Sequence, residues 1–192
     1  MVSVAIIFVS LDGHTAKQAE AIRDGASVHA DVVMCRLPEN GDVAEQIWEQ
    51  CAQADAIVFG GPTYMGGPPW QFKKFADATS DIWVTRDWQD KLAGGFTTSA
   101  TMNGDKGETL AYFITLANQH GMLWVSLGQA SPNASRHGPN DMNWTGGNGG
   151  AMAIAASDLD PDVAPGLGDI ASARAYGERI ARLAQRFKNA QD

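Results

Sequence analysis

Residues 1–25 constrain the fold more than any other stretch of the chain. Val2 to Val9 is a short apolar run rich in β-branched side chains. Ser10 to Thr15 (SLDGHT) is small and polar with one glycine, and Ala16, Ala19, Ile22 and Ala26 then recur at helical spacing. That order reads as a buried strand, a tight loop and an amphipathic helix. The loop lies where a strand ends and a helix begins. There, unpaired backbone N–H groups and the helix dipole favour an anion. Serine and threonine also cap helices with no ligand at all, so this loop alone leaves both readings open.

The same alternation continues down the chain. Strands are expected at Val28 to Cys35, Ala54 to Phe59, Leu92 to Thr98 and Met122 to Leu127. Helices are expected at Val43 to Ala52, with Asp42 as cap, then Trp70 to Ala78, Thr109 to His120 and Asp169 to Phe187. Trp83 and Trp88 fall in a connection. Five strands alternating with helices argue for a doubly wound parallel sheet with helices on both faces. The expected strand order is 2-1-3-4-5, and residues 1–192 are read as one domain. The stretch 129–168, rich in Gly, Pro, Asn and Asp, is read as an extended loop insertion. It is too long for an ordinary connector, which points to a functional or oligomer-forming role.

Composition excludes several classes. The net charge is −8, so nonspecific nucleic-acid binding and attraction to an anionic membrane are not expected. The apolar run at the N-terminus has no basic lead and is too short to span a bilayer. Cys35 and Cys51 have no metal-ligand spacing and read as reduced core thiols, and no metal site is expected. A cytoplasmic protein is the default expectation. An anionic ligand must then be held by backbone N–H groups, hydroxyls or a local basic patch.

In an open parallel sheet, ligands bind outside the carboxyl ends of the strands. Three loops follow strands one, three and four, and all are rich in Gly, Ser, Thr or Asn. The first offers Ser10, Gly13, His14 and Thr15 to a phosphate. The second, around Gly61 to Gly67, places Tyr64 and Met65 as flat or soft contacts. The third, Thr98 to Gly104, offers N–H groups and side chains to a ring's polar edge. A flat heteroaromatic ring with a phosphate tail would satisfy all three, and flavin mononucleotide (FMN) has that shape. The G-x-G-x-x-G of a dinucleotide site and the G-K-[ST] of a P-loop are both absent. So is an aspartate closing the third strand, where Phe59-Gly60-Gly61 stands instead.

Ser10, Asp12, Gly13 and Thr15 resemble the phosphate-binding fingerprint of flavodoxins. More specifically, GGPTYMGGPPWQFKKFADATSDIW, KLAGGFTTSATMNGDKGET and HGM resemble the WrbA family of flavodoxin-like NAD(P)H:quinone oxidoreductases, in order from Val4 to about Leu127. The resemblance implies an FMN phosphate held by Ser10, Leu11, Asp12, Gly13, His14 and Thr15. It implies an isoalloxazine lined by Pro62, Thr63, Tyr64, Met65 and Gly66, and wrapped on its other edge by Thr98, Ser99, Ala100, Thr101, Met102, Asn103 and Gly104. Trp83 would border the substrate space. His120 stands where the family carries a flavin-contacting histidine pair, and is the candidate proton donor. A helix C-terminal histidine favoured by the dipole is its other reading.

The chain departs from the family at Asp12, where an aromatic is usual, and at Tyr64-Met65, where Arg-Phe is usual. A carboxylate at position 12 must point away from a phosphate or be hydrogen-bonded within the loop. The expected function is an FMN-dependent oxidoreductase. It would pass a hydride from NAD(P)H through FMN to a quinone or similar small acceptor, as a homo-oligomer, dimer or tetramer. The alternative is a flavodoxin-type single-electron carrier, which would take no nicotinamide.

Overall fold

The computed structural model describes residues 1–190. Strand β1 (Val2–Phe8) is the centre from which the sheet is built, pairing in parallel with β2 (Ala30–Arg36) on one side and β3 (Ala56–Pro62) on the other. β3 pairs with β4 (Leu92–Ser99), and β4 with the two-residue β5 (Leu123–Trp124), giving the order β2-β1-β3-β4-β5. The expected order holds, with helices on both faces.

Period-two geometry explains why the strands read as continuous apolar runs. Val2, Val4, Ile6 and Phe8 point to one face, where they meet Ile22 and Ala26 of α1 (His14–Ala26) and Tyr176 and Ile180 of α6 (Leu167–Asn189). Ala5, Ile7 and Val9 point to the other face. There they meet residues of α2 (Glu45–Gln53), α3 (Trp70–Ala78) and α5 (Lys106–Gln119). A strand buried on both sides needs no polar alternation. Trp88, left in a connection by the sequence reading, is part of this second core and packs against Phe59, Phe75 and His120. Cys35 and Cys51 are both buried and unpaired, and burial pushes their thiols up to about 11 and about 12.

The glycines of the α1–α6 contact explain how two helices come so close. A side chain on Gly25 would stand 1.8 Å from the Arg174 carbonyl oxygen, and one on Gly177 would stand 2.0 Å from that of Ile22. Backbone meets backbone there, which only the absence of Cβ allows.

Several boundaries differ from expectation. β3 runs on through Gly60 and Gly61 to Pro62, where it keeps pairing with Phe96 to Thr98 of β4, and the Phe96 ring fills the space a side chain at Gly60 would need. Asp42 does not cap α2; it binds Lys74, and Ala44 stands at the helix start. α5 begins at Lys106, and a short α4 (Ser80–Thr85) occupies the expected connection.

The largest correction is at the fifth strand. Met122 to Leu127 does not form one strand. After Leu123–Trp124 the chain leaves the sheet, and it returns as β6 (Ala151–Ile154), pairing in parallel with Phe96 to Ser99. The same edge of β4 thus carries two strands in tandem, and the stretch 129–168, expected to be loop throughout, contains a strand. At the gap, the Gly95 N–H and the Val125 carbonyl would lose a ladder partner. The Tyr176 hydroxyl accepts from the first at 3.2 Å and donates to the second at 2.6 Å.

Tyr176→Phe strands both groups in a buried site. The cost expected is about 1–3 kcal/mol, read as a lower urea midpoint with an unchanged slope. An unchanged midpoint would show that the gap needs no hydroxyl.

Candidate functional site

The carboxyl ends of β1, β3, β4 and β6 face one rim, and a cavity of about 170 Å³ opens there. Ser10, Leu11, Asp12, His14 and Thr15 line it from the first loop. Pro62, Thr63 and Tyr64 line it from the second, and Thr98, Ser99 and Ala100 from the third. Three separate stretches of sequence, expected to converge, do converge. Gly13, Met65, Gly66, Thr101, Met102, Asn103 and Gly104 belong to the same loops without lining the cavity itself. Ala155 and Ser157, from the loop after β6, line it and were not expected.

The first loop leads into the start of α1 with few acceptors for the helix's first N–H groups. Gly13, at φ 92°, turns the chain into α1, whose first turn carries no acidic residue. The first N–H groups of a helix have no intrahelical partner. Ser10 Oγ accepts one of them, from Ala16 at 3.0 Å, and keeps its own proton free to donate. Thr15 is buried at the cavity wall. Arg36, at the end of β2, donates to the Ser10 carbonyl and brings a positive charge beside the loop. Sequence reasoning passed over Arg36, because nothing local links it to residue 10.

Two first-loop residues behave differently from expectation. His14 Nε2 lies 2.8 Å from the Leu159 carbonyl, which can only accept, so that nitrogen carries the proton and is committed to the loop after β6. Only Nδ1 remains for a ligand. The Asp12 carboxylate accepts a long bond from the Tyr64 hydroxyl, 3.4 Å away in the second loop. Burial and then the Asp12 charge and hydrogen bond push the Tyr64 hydroxyl's pKa up. The one carboxylate among the residues lining this cavity is therefore bound to a neighbouring loop, as the chemistry of a phosphate site demands.

The second loop is a tight hairpin. Tyr64 and Gly67 exchange both backbone hydrogen bonds, at 2.9 and 3.1 Å, around Met65 at φ 50° and Gly66 at φ 80°. Both central residues have positive φ, the pattern of a type I′ turn. Met65 is held fully exposed at the tip. Beneath it, the Thr63 hydroxyl lies 2.8 Å from those of both Thr97 and Thr109, joining β4 and α5. Thr98 donates to Gln18 Oε1 at 2.9 Å, and Gln18 donates on to the Ala151 carbonyl at 3.2 Å. These buried contacts fix the three loops relative to one another.

Lys106 holds the third loop. Its ammonium is buried and donates to Ser99 Oγ at 2.7 Å, to the Met102 carbonyl at 2.8 Å and to the Thr101 carbonyl at 2.9 Å. Burial lowers its pKa to about 8, opposed by the charge of Asp169. Asp169, on α6, accepts from the Ile154 N–H at 2.8 Å, and burial raises its own pKa.

His120 and Trp83 are not at this cavity. They line a second hollow with Thr79 and Leu116, and His120 follows the C-terminus of α5. That helix starts at the cavity's third loop and has 14 residues, so His120 lies about 20 Å along it from Lys106. The Thr79 hydroxyl donates to the Ala76 carbonyl, so the 2.9 Å contact with His120 has His120 Nε2 as donor. His120 Nδ1 is buried without a partner, and burial, with Arg86 nearby, lowers the pKa of the ring. His120 is a buried side chain whose Nε2 is committed to Thr79, and it does not line the cavity. Both residues therefore depart from the expected placement.

The donor set fits FMN at its phosphate end, with free helix N–H groups, the Ser10 and Thr15 hydroxyls and a carboxylate tied elsewhere. At the rim, Tyr64 lines the cavity and is partly exposed. Comparisons with known proteins point the same way. Residues 4–135 match the family described as NADPH-dependent FMN reductase. Flavodoxin FldP of Pseudomonas aeruginosa is 44% identical over 187 residues, covering 97% of this chain and 99% of that protein. An NAD(P)H dehydrogenase (quinone) of Geotalea uraniireducens is 34% identical over 205 residues, covering 96% and 98%. The crystal structure of a flavodoxin, WrbA-like protein from Agrobacterium tumefaciens superposes with a TM-score of 0.78 at 40% identity, covering 97% of this chain and 99% of that one.

Replacing Ser10 and Thr15 together by alanine is expected to weaken FMN at least tenfold, about 1.4 kcal/mol. Fluorescence titration of the apoprotein measures it, and an unchanged dissociation constant would remove the phosphate from this loop.

Proposed function

Taking as premise that this chain belongs to the NADPH-dependent FMN reductase family, we propose that it is an NAD(P)H:quinone oxidoreductase. The observation that carries this reading is the convergence of three loops on one cavity whose donors suit a phosphate and whose mouth is open. Bound there, FMN would supply the redox chemistry, hydride acceptance from a nicotinamide and two-electron transfer to an acceptor. The protein's share is position and polarity. Ser10, Thr15 and the first-turn N–H groups of α1 hold the phosphate. Thr63, locked by Thr97 and Thr109, fixes the second loop, and Tyr64 and Met65 stand at the rim. Their apolar surface suits a flat acceptor that stacks on the ring.

A nicotinamide and an acceptor that use the same face must bind in turn. Met65 is fully exposed and Tyr64 partly so, which leaves this side of the second loop accessible from solvent. In this reading the protein is a homo-oligomer. Trp83, about half exposed, then serves a neighbouring copy's site, since its own protomer keeps it away from this cavity. The nearby Geotalea dehydrogenase supports a quinone as acceptor.

One observation favours a second reading, a single-electron carrier: the similarity to a protein named flavodoxin, at 44% identity. Steady-state assays separate the two. FMN-loaded protein is mixed with NADH or NADPH and a benzoquinone. A reductase is expected to oxidise the nicotinamide over many turnovers, with parallel lines in double-reciprocal plots, and to hold no stable one-electron-reduced form in reductive titration. Negligible turnover with accumulation of that form would establish the carrier instead.

A further inference from the structure

Lys106 is the buried cation of this molecule whose surroundings the cofactor site does not yet explain. A lysine is almost never fully buried unless its charge is answered. Here only 1% of the residue is exposed. Its three protons are all used, and all three go to the loop that follows β4: Ser99 Oγ, the Thr101 carbonyl and the Met102 carbonyl. Ser99 Oγ in turn donates to the Thr101 carbonyl at 2.9 Å. The space above is closed by Gly104, at φ 51°, where a Cβ would lie 2.1 Å from Ser99 Oγ. The loop is thus wrapped around the ammonium, with its carbonyls turned inward to meet it.

Turning carbonyls inward has a consequence at the cavity. Ser99 and Ala100 line it. A loop whose acceptors are spent on a buried lysine does not present them to a ligand, and the ammonium donates to Ser99, a residue of the cavity wall. Asp169 is the charged group facing Lys106 from α6. No direct ion pair joins the two among the described residues, and the Asp169 carboxylate is occupied with the Ile154 N–H. The neighbours Asp105 and Glu108 are exposed to solvent. The lysine's charge is therefore only partly answered inside the protein.

We propose that Lys106 is a positioning residue for the cofactor site: it shapes the Ser99–Asn103 loop and lends the cavity a positive charge, one hydroxyl away, that favours FMN and favours its reduced form further. A buried cation near a bound group that gains electrons would stabilise its electron-rich state, by the same electrostatics that stabilise developing charge in enzyme sites generally. The inference rests on FMN as cofactor and is independent of which acceptor is used.

The test compares Lys106→Met and Lys106→Arg with the unaltered protein, reading FMN affinity by fluorescence titration and the midpoint potential of the loaded protein by dye equilibration. Lys106→Met is expected to weaken FMN at least tenfold and to move the potential to more negative values, while Lys106→Arg stays within about threefold in affinity. Equal affinity losses in both variants with the potential unmoved in each would leave Lys106 a loop-holding group that lends the cavity no charge, which overturns the proposal, as would an unchanged Lys106→Met. If Lys106→Met does not fold, the unaltered protein decides. With the lysine's pKa lowered to about 8, its charge is present at pH 7 and largely gone at pH 9. FMN affinity should therefore fall severalfold over that interval, and a flat profile overturns the proposal. Failure of the unaltered protein to bind FMN would strike the cofactor assignment itself, and is read separately from these outcomes.

Discussion

One edge of β4 carries two strands, and the architecture of the site follows from that sharing. β5 leaves after pairing with Leu92 and Ala93, and β6 arrives to pair from Phe96 onward. A sheet edge cannot be interrupted for nothing, since buried backbone groups left without partners cost about as much as the hydrogen bonds they lose. Tyr176 closes the interruption from α6, using one hydroxyl for two backbone groups. Because α6 is itself locked to α1 through Gly25 and Gly177, the helix that mends the sheet also bears on the helix that starts the first loop. β6 then delivers Ala155 and Ser157 to the cavity, and the loop after it reaches across to His14 and Lys17. The cavity has a fourth wall only because the fifth strand position was split.

The loops at the rim are held by polar groups that a sequence pattern assigns to no one. Thr63, Thr97 and Thr109 come from three elements and meet through hydroxyls at 2.8 Å. Gln18, fully buried in α1, ties β4 to β6. Such networks rigidify a site only when their members are satisfied. Here the contacts join a helix to the sheet or a loop: Gln18 of α1 to β4 and β6, and Thr109 of α5 to Thr63. Preorganised contacts of this kind hold a binding site to the tolerance that redox positioning requires.

The parts of the fold legible in sequence were those with a local signature. Val2 to Val9, Ala54 to Phe59 and the helical spacing after Thr15 each declare themselves within a dozen residues, and the three ligand loops follow from the ends of those strands. β6 has no such signature. Ala151, Met152, Ala153 and Ile154 form a four-residue run with one β-branched side chain, set among glycines and asparagines, and only the free edge of β4 makes it a strand. Lys106 was hidden for the same reason. In sequence it is one charged residue among Asp105, Gly107 and Glu108, with nothing to mark it as buried. His14 and Asp12 were found but misjudged in part, since their partners, Leu159 and Tyr64, lie 145 and 52 positions away. His120 and Trp83 rested on resemblance alone, and the protomer's geometry gives them a different address.

A chain with net charge −8 holding an anionic cofactor is an electrostatic problem, and the way the charges are placed resolves it. The acidic residues nearest the site are turned outward or tied: Asp12 to Tyr64, Asp169 to the Ile154 N–H. No acidic side chain stands in the first turn of α1. The positive contributions are local: the helix start, Arg36 on the Ser10 carbonyl, and Lys106 inside the third loop. Exposed charges beyond a Debye length, about 8 Å at physiological salt, are largely screened, whereas buried ones are screened much less. The field inside the cavity is therefore governed by a few nearby groups and not by the total. That is how an acidic surface and an anion-binding interior coexist in one small protein, and why its net charge was a poor guide to what it binds.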